Sequence, residues 1–400
     1  MSNGNRVIDT LKKEQLIQYL QDLDVPLTKK NYLKTELKDM LIEALNSKNR
    51  KGKCNHVFAK VPKIVAIGDL HGDLVATIKA LKMAGVIDPN TSNTLKNINK
   101  IVWTGGKTVV VQLGDQIDRV RPQNLVNDLC PENDSELNSD EGSDLKIICL
   151  FEKLHREAQQ VGGAVFSILG NHELMNVDGD FRYVSPREFS EFGNHFKEHR
   201  TGDTTLPFGY AARKAAFSPG GIIAKKLADG RFAVLQVGSW LFVHGGISLQ
   251  CAQKFALNDI NYYVKRWLNG HKDSKTMAYI NMIYHGEEDM SPFWTRVFSD
   301  LEEWDEQRST ANFMETLQTL NFNNKRTKQT EIKGMIMGHS PQFMYNKGLN
   351  SACDNRLWRT DVGMSRAFGK LNTCKNELVN RRVQILVIEN DTKFRVLRED

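Results

Sequence analysis

Along the chain, short apolar runs recur, and each is cut off by glycine next to Asp, Asn or His. They are "KIVAIGDLHGD" at 63–73, "TVVVQLGDQIDR" at 108–119, "AVFSILGNHELMN" at 164–176, "LFVHGGIS" at 241–248 and "GMIMGHS" at 334–340. Runs this short, rich in Val and Ile and lacking polar alternation, predict strands buried on both faces. Between them lie segments with helical spacing, such as "DLVATIKALKMAGV" and "LKIICLFEKLHREAQQVG". Alternation of the two from Val61 onward predicts an α/β domain over 61–400. The end, "VQILVIENDTKFRVL", reads as a hairpin turning at Asn390 and Asp391.

The first fifty residues follow another pattern. Leu16, Leu20 and Leu23, then Leu33, Leu37, Leu41 and Leu45, are spaced for two amphipathic helices on either side of Pro26. This predicts a small helical module over 1–50, joined by a polar linker, 51–60. Two stretches interrupt the α/β pattern. "CPENDSELNSDEGSD", 130–144, is acidic and free of aromatics, as expected of a surface insertion. Residues 251–332 are helical by pattern and are expected to cap the substrate cleft.

With 400 residues, 40% of them hydrophobic, the chain can bury a sizeable core. Its net charge of +6 says little, but the first 60 residues hold 12 Lys and Arg against 7 Asp and Glu. That basic start makes nucleic-acid or protein contact through 1–50 an expectation. No apolar run approaches the roughly 18 residues that cross a bilayer, and "MSNGNRVIDT" lacks the apolar centre of a signal peptide. No membrane association is expected. The six cysteines show no CxxC pairing, which argues against a zinc knuckle or a disulfide framework. An intracellular location, cytoplasmic or nuclear, follows.

The candidate chemistry lies where the runs end. Strands of an α/β sheet deliver side chains from their carboxyl ends into the ligand crevice. Collected there are Asp69 and His71, Asp115, Asn171 and His172, His244, and His339. Setting one histidine aside leaves two carboxylates, an amide oxygen and three imidazoles. Hard oxygen donors mixed with imidazole suit Mn, Fe or Zn, and a carboxylate can bridge two ions.

These motifs, GDLHG, GDQIDR, GNHE, the strand-end HGG and the late GH, resemble in content and order the calcineurin-like metallophosphatase superfamily. "GNHE" followed by "LMNVDGDFRYV" is most similar to the Shewanella-like branch of the phosphoprotein phosphatases. The resemblance implies a four-layer fold, a β-sandwich of two sheets flanked by helices, over roughly 61–390. It implies two divalent ions, manganese foremost, with iron, zinc or magnesium as alternatives. Asp69 and His71 would hold the first ion, Asp115 both, and Asn171, His244 and His339 the second. Such a pair clamps a phosphate and generates hydroxide that attacks phosphorus in line. His172 would protonate the leaving oxygen with Asp118 orienting it, and Glu173 would support the loop. Arg119 would hold phosphate oxygens, with Arg296 in "SPFWTR" or Arg182 in "GDFRYV" as a second cation. Asp361 would support His339, and Asp73 would cap a helix.

The implied activity is hydrolysis of phosphomonoesters on proteins. A dinucleoside polyphosphate or phosphodiester hydrolase on the same fold is the alternative, since fold does not fix substrate. A third reading is a docking factor with a vestigial metal site. "LKKEQLIQYLQDLDVPLTKKNYLKTELKDMLIEAL" loosely resembles a SAP-type module of nucleic-acid and chromatin proteins. Where toxin-sensitive Ser/Thr phosphatases carry SAPNYC, this chain has "QFMYNKGLNSACDNR", and insensitivity to okadaic acid and microcystin is expected. Val120 also departs from the glycine that many relatives carry after GDxxDR, and Ser340 from the threonine that often follows GH.

Overall fold

The computed structural model describes residues 12–22, 33–38, 40, 56–94, 97–121, 140–198, 205–300, 306–327, 330–368 and 378–399. The chain divides into two compact units, Met1–Asn55 and His56–Asp400. In the first, helix α1 (Lys13–Asp22) buries Leu16, and residues 34–38 are helical with Leu37 buried. The rest of the predicted SAP-like pair, including its link at Pro26, lies outside the described residues. So do 51–55 of the linker and 130–139 of the acidic stretch.

The second unit holds twelve described strands: β1 (Val57–Phe58), β2 (Lys63–Ile67), β3 (Val109–Gln112), β4 (Ala164–Ile168), β5 (Arg231–Phe232), β6 (Val234–Val237), β7 (Trp240–Val243), β8 (Gly334–Met337), β9 (Asn350–Ala352), β10 (Leu357–Arg359), β11 (Gln384–Glu389) and β12 (Lys393–Arg398). Sheet one runs β12-β11-β2-β3-β4-β5 and sheet two β1-β6-β7-β8-β10-β9. In sheet one, β2 to β5 are parallel and the β11–β12 hairpin adds antiparallel to β2. Its turn places Asn390 and Asp391 at positive φ, which these short polar side chains tolerate.

The described α-helices are α2 (Leu74–Met83), α3 (Asp144–Gln160), α4 (Asn171–Asp178), α5 (Pro186–His195), α6 (Tyr210–Phe217), α7 (Ile222–Gly230), α8 (Leu249–Lys254), α9 (Leu257–Leu268), α10 (Ser274–Ile283), α11 (Glu306–Thr327) and α12 (Leu378–Arg381). Their starts are written in sequence. Asp73 caps α2 by accepting the Ala76 N–H, and Ser185 and Glu188 form a capping box at α5, with Pro186 as the first residue of that helix.

Burial explains the four layers. Along sheet two, side chains alternate between faces. Leu235, Val237, Phe242, Ile336 and Trp358 join the core that also holds sheet one, α2 and α3. Val234, Leu241, Val243, Met335 and Leu357 join a second core with α7, α9, α10 and α11. Helices α9 to α11, in the region expected to cap the cleft, therefore belong to an outer helical layer on sheet two. Ile260, Val264 and Trp267 of α9 and Phe313 and Leu317 of α11 are spent covering that sheet face. From this region the turn around Trp294 does reach the strand ends, where its carbonyl meets His339.

Candidate metal centre

Parallel registry brings the predicted side chains together. In sheet one, Ile67 lies opposite Gln112 and Gln112 opposite Ser167, so Asp69, Asp115 and Asn171 leave neighbouring strands side by side. In sheet two, β7 and β8 pair in parallel and deliver His244 and His339, and β10 beside β8 delivers Asp361. The turns are strained. His71, Asp115, Asp118 and His339 hold φ of 42°, 50°, 70° and 71°, a region L-residues seldom enter. Such strain persists where the surroundings over-determine it, and it collects at functional sites.

The side chains converge and all are buried. Asn171 Oδ1 lies 2.9 Å from His244 Nε2 and 3.0 Å from His339 Nδ1. Asp115 Oδ2 stands 3.3 Å from His244 Nε2, 3.9 Å from His71 Nε2 and 3.8 Å from His172 Nε2. Asp69 Oδ2 is 4.0 Å from His71 Nε2 and accepts the His339 backbone N–H at 3.0 Å. Asp115 is thus the shared neighbour of both groups.

Main-chain carbonyls set the rings. His244 Nδ1–H donates to Leu113 O at 2.7 Å and His339 Nε2–H to Trp294 O at 3.0 Å, while His71 Nδ1 faces Ile117 O at 3.4 Å. Since a carbonyl only accepts, in the neutral ring the opposite nitrogen has its lone pair turned into the cluster. Burial, then the charges of Asp361 and Asp115, pushes Asp69 well above the usual carboxylate range. Burial likewise lowers His71 and His339 well below the usual imidazole value. Asp115 is held well below its usual range: burial opposes ionisation, but His244 and His172 outweigh it. For His244 burial pulls down, yet Asp115 raises it on balance.

Crowded buried carboxylates beside imidazoles with free lone pairs are what a divalent cation relieves. The packing reserves room for those carboxylates. A Cβ on Gly170 would fall 2.1 Å from Asp115 Oδ1, and one on Gly338 2.3 Å from Asp69 Oδ1. Ligand atoms of His71, Asp115 and His172, and of Asp115, His244 and His339, lie within 4.8 Å of one another in each set. The donor set fits divalent metal ions.

By distance alone His172 belongs with the first set, but its other nitrogen differs. His172 Nδ1 lies 2.9 Å from the Asp118 carboxylate rather than on a carbonyl. Asp118 is fixed by residues that spacing did not single out. Asn176, one turn beyond His172 on α4, donates to both of its oxygens at 2.9 Å. The fully buried Arg213 of α6 donates to Asp118 at 3.0 Å, to Asp144 at 2.8 Å and to Asn176 at 2.7 Å. Glu173 accepts the backbone N–H groups of Asp115, Gln116 and Gly170 at 3.0, 2.8 and 2.8 Å. Asp361 does not bond His339: Oδ1 accepts the Gly363 N–H at 2.9 Å and Oδ2 has no partner among the described residues, while burial and then Asp115 raise its pKa to about 6.

The three arginines expected at phosphate are placed differently from one another. Arg119 is buried, with Nη1 3.3 Å from Gly72 O and 3.7 Å from Asp73. Arg182 is exposed and paired with Asp180 at 2.7 Å. Arg296 pairs with Glu288 at 3.2 Å but is near enough for its charge to help lower His339, after burial and His244.

Two six-stranded sheets between helical layers, with carboxylates, imidazoles and an amide gathered at the strand ends, define a metallophosphoesterase sandwich. The chain belongs to the calcineurin-like phosphoesterase family, whose model matches residues 62–343. It is 33% identical to Shewanella-like protein phosphatase 2 of Arabidopsis thaliana, over 85% of this chain and 78% of that one. It is 31% identical to the uncharacterized protein R398 of Acanthamoeba polyphaga mimivirus, over 62% of this chain and 97% of that one. A solved cold-active protein tyrosine phosphatase superposes with TM-score 0.57 at 18% identity, covering 88% of this chain and 83% of the other, and shows the shared fold. Membership makes the chain a hydrolase of phosphoesters. Among the described residues no helix is long and apolar enough to cross a membrane.

Proposed function

We propose that the chain is a metal-dependent phosphoprotein phosphatase that cleaves phosphate monoesters with a pair of divalent cations, manganese foremost. The observation that carries this reading is the His172–Asp118 pair standing directly beside the ligand cluster, with His172 Nε2 3.8 Å from Asp115 and Nδ1 2.9 Å from Asp118. Asp69 and His71 would hold one ion, Asn171, His244 and His339 the other, and Asp115 both. When bound, the ions would supply charge neutralisation for phosphoryl oxygens and an acidified water for in-line displacement.

The remaining work belongs to the chain. With Nδ1–H fixed on Asp118, His172 carries its exchangeable proton on Nε2, on the side of the ligand cluster, and passes it to the departing oxygen. Asn176 and Arg213 keep Asp118 from turning away. A serine or threonine alkoxide leaves slowly unless protonated, so this pair suits phosphomonoesters of proteins. The names of the relatives, a Shewanella-like protein phosphatase and a protein tyrosine phosphatase, support the same substrate class.

The test compares metal content and p-nitrophenyl phosphate turnover in the parent and Asp115→Asn. Loss of both is expected, because Asp115 is the neighbour common to His71, His172 and His244. A phosphopeptide panel run beside a dinucleoside tetraphosphate reads the substrate. Faster turnover of the dinucleotide would overturn the phosphoprotein assignment.

A further inference from the structure

Arg121 is a residue next to the site to which no motif gives a role. Its guanidinium lies 4.8 Å from the centroid of Phe368 and 5.8 Å from that of Tyr183. Those rings in turn pack against the two histidines at the front of the centre, Phe368 5.6 Å from His71 and Tyr183 4.9 Å from His172, centroid to centroid. The two histidine rings are 4.9 Å apart. Arg121 is therefore bracketed by the two rings that pack against His71 and His172. The backbone keeps it there: Val120 N–H donates to Tyr183 O at 2.9 Å, tying the loop to the strip that carries Tyr183.

The donors of this guanidinium are unevenly used. Nη1 donates to the carbonyls of Val120 at 2.7 Å and Asp118 at 3.2 Å. Nη2 is buried and has no acceptor among the described residues. A buried, charged donor without a partner is costly, which marks a place made for an acceptor that arrives from outside. The charge of Arg121 is felt at His71, Asp115, Asp118 and Asp361, so the missing acceptor belongs to a group lying against the ligand cluster. Arg119, by contrast, is engaged with Gly72 O and Asp73, and Asp73 is itself tied to Arg366 and the start of α2.

We propose that Arg121 is a phosphate-binding residue, its Nη2 gripping an oxygen of the tetrahedral anion, while Arg119 organises the loop beneath it. A planar donor fork, preset by two rings and two carbonyls, suits a phosphoryl group better than a freely moving cation. This inference rests on the phosphatase reading. It assigns the anion contact to a residue two positions beyond the GDQIDR motif.

The experiment uses the manganese-loaded full chain as parent, Arg121→Ala and Arg121→Lys. Calorimetric titration gives the Kd for inorganic phosphate, and p-nitrophenyl phosphate gives KM and kcat, with metal content and Tm measured on each sample. Arg121→Ala is expected to weaken phosphate binding and raise KM by tenfold or more at parental metal content, with partial rescue by added guanidinium. Should the alanine variant melt early, Arg121→Lys, which keeps a cation over the rings but loses the fork, reads the same Kd and is expected to fall between. Phosphate Kd and KM within twofold of the parent in both variants would overturn the assignment alone. A parent that neither binds phosphate nor hydrolyses the ester would overturn the phosphatase reading and this inference with it.

Discussion

Glu173→Gln probes the link between the GNHE loop and the metal centre. The carboxylate is fully buried and gathers three backbone N–H groups from two loops: Oε1 takes Gln116, and Oε2 takes both Asp115 and Gly170. Glutamine has the same shape but one acceptor oxygen. If that oxygen takes the place of Oε2, the amide NH2 faces the Gln116 N–H; the flipped rotamer orphans the other two. At least one buried donor is left unpaired, at about 1–3 kcal/mol, and the surviving bonds lose their charge assistance, about 1 kcal/mol each. Part is returned, because Glu173 is raised above its usual pKa by burial and then by the charge of Asp115, and the amide removes that repulsion. A net loss of about 2–4 kcal/mol is expected, a fall in melting temperature of several degrees for a unit of this size. Since the Asp115 backbone is one of the anchored groups, the divalent metal retained by the candidate centre should fall as well. Scanning calorimetry and metal analysis check both, with exposed Glu315→Gln on α11 as control. A glutamine variant that melts within a degree of the parent and keeps its metal would show that the carboxylate does not hold the two loops together.

Asp118→Asn should lower kcat by about 10²–10³, the range of a positioned general acid, and the deficit should be larger for phenyl phosphate than for p-nitrophenyl phosphate, whose better leaving group needs less help. Equal deficits on the two esters would argue against proton donation through His172. Asp73 is lowered from 3.8 to about 2: burial opposes ionisation, but the Arg366 bonds and the charges of Arg119 and Arg366 outweigh it. A depressed carboxyl stabilises the fold above pH 3.8 and loses that contribution as pH falls through about 2. Asp73→Asn should therefore cost about 2 kcal/mol at neutral pH and only a small fraction of that at pH 2, read from denaturant unfolding at the two pH values; a pH-independent cost would assign it to the helix cap alone.

The clustering of the candidate ligands was legible because its parts are local. Each candidate ligand follows a hydrophobic strand within a few residues, so an apolar run, a glycine and an Asp, Asn or His mark it without knowledge of the partner strands. The layer behind it was not. Arg213 meets Asp118 and Asp144 across 95 and 69 residues of chain, and no spacing rule connects a lone arginine in "YAARKAAF" to either. Asn176 was within reach, since it lies on the His172 face of α4, but an asparagine inside a helix has many ordinary explanations. What the helices within 251–332 cover was not legible for a related reason. An amphipathic pattern states that a helix covers something apolar, and sheet two, apolar on both faces, supplied that surface away from the cleft.

The glycines of these motifs point to a coupling between folding and ligation. A Cβ at Gly68, on sheet one, would lie 2.3 Å from Thr360 O, which follows a strand of sheet two. One at Gly114 would lie 2.6 Å from Gly170 N and 2.8 Å from His244 Nδ1, again joining the two sheets. Gly170 has an unremarkable φ of −94°, so what it supplies is space, not conformational freedom. Backbone from two sheets thus interlocks at van der Waals distance at the spot where the ligands emerge. The carbonyl that orients His244 is Leu113 O of the first sheet, although His244 itself belongs to the second. The two sheets cannot shift against each other without turning an imidazole out of line. Metal affinity should therefore report on sandwich packing, and substitutions in the core between the sheets, far from any ligand, should loosen the centre before they unfold the chain.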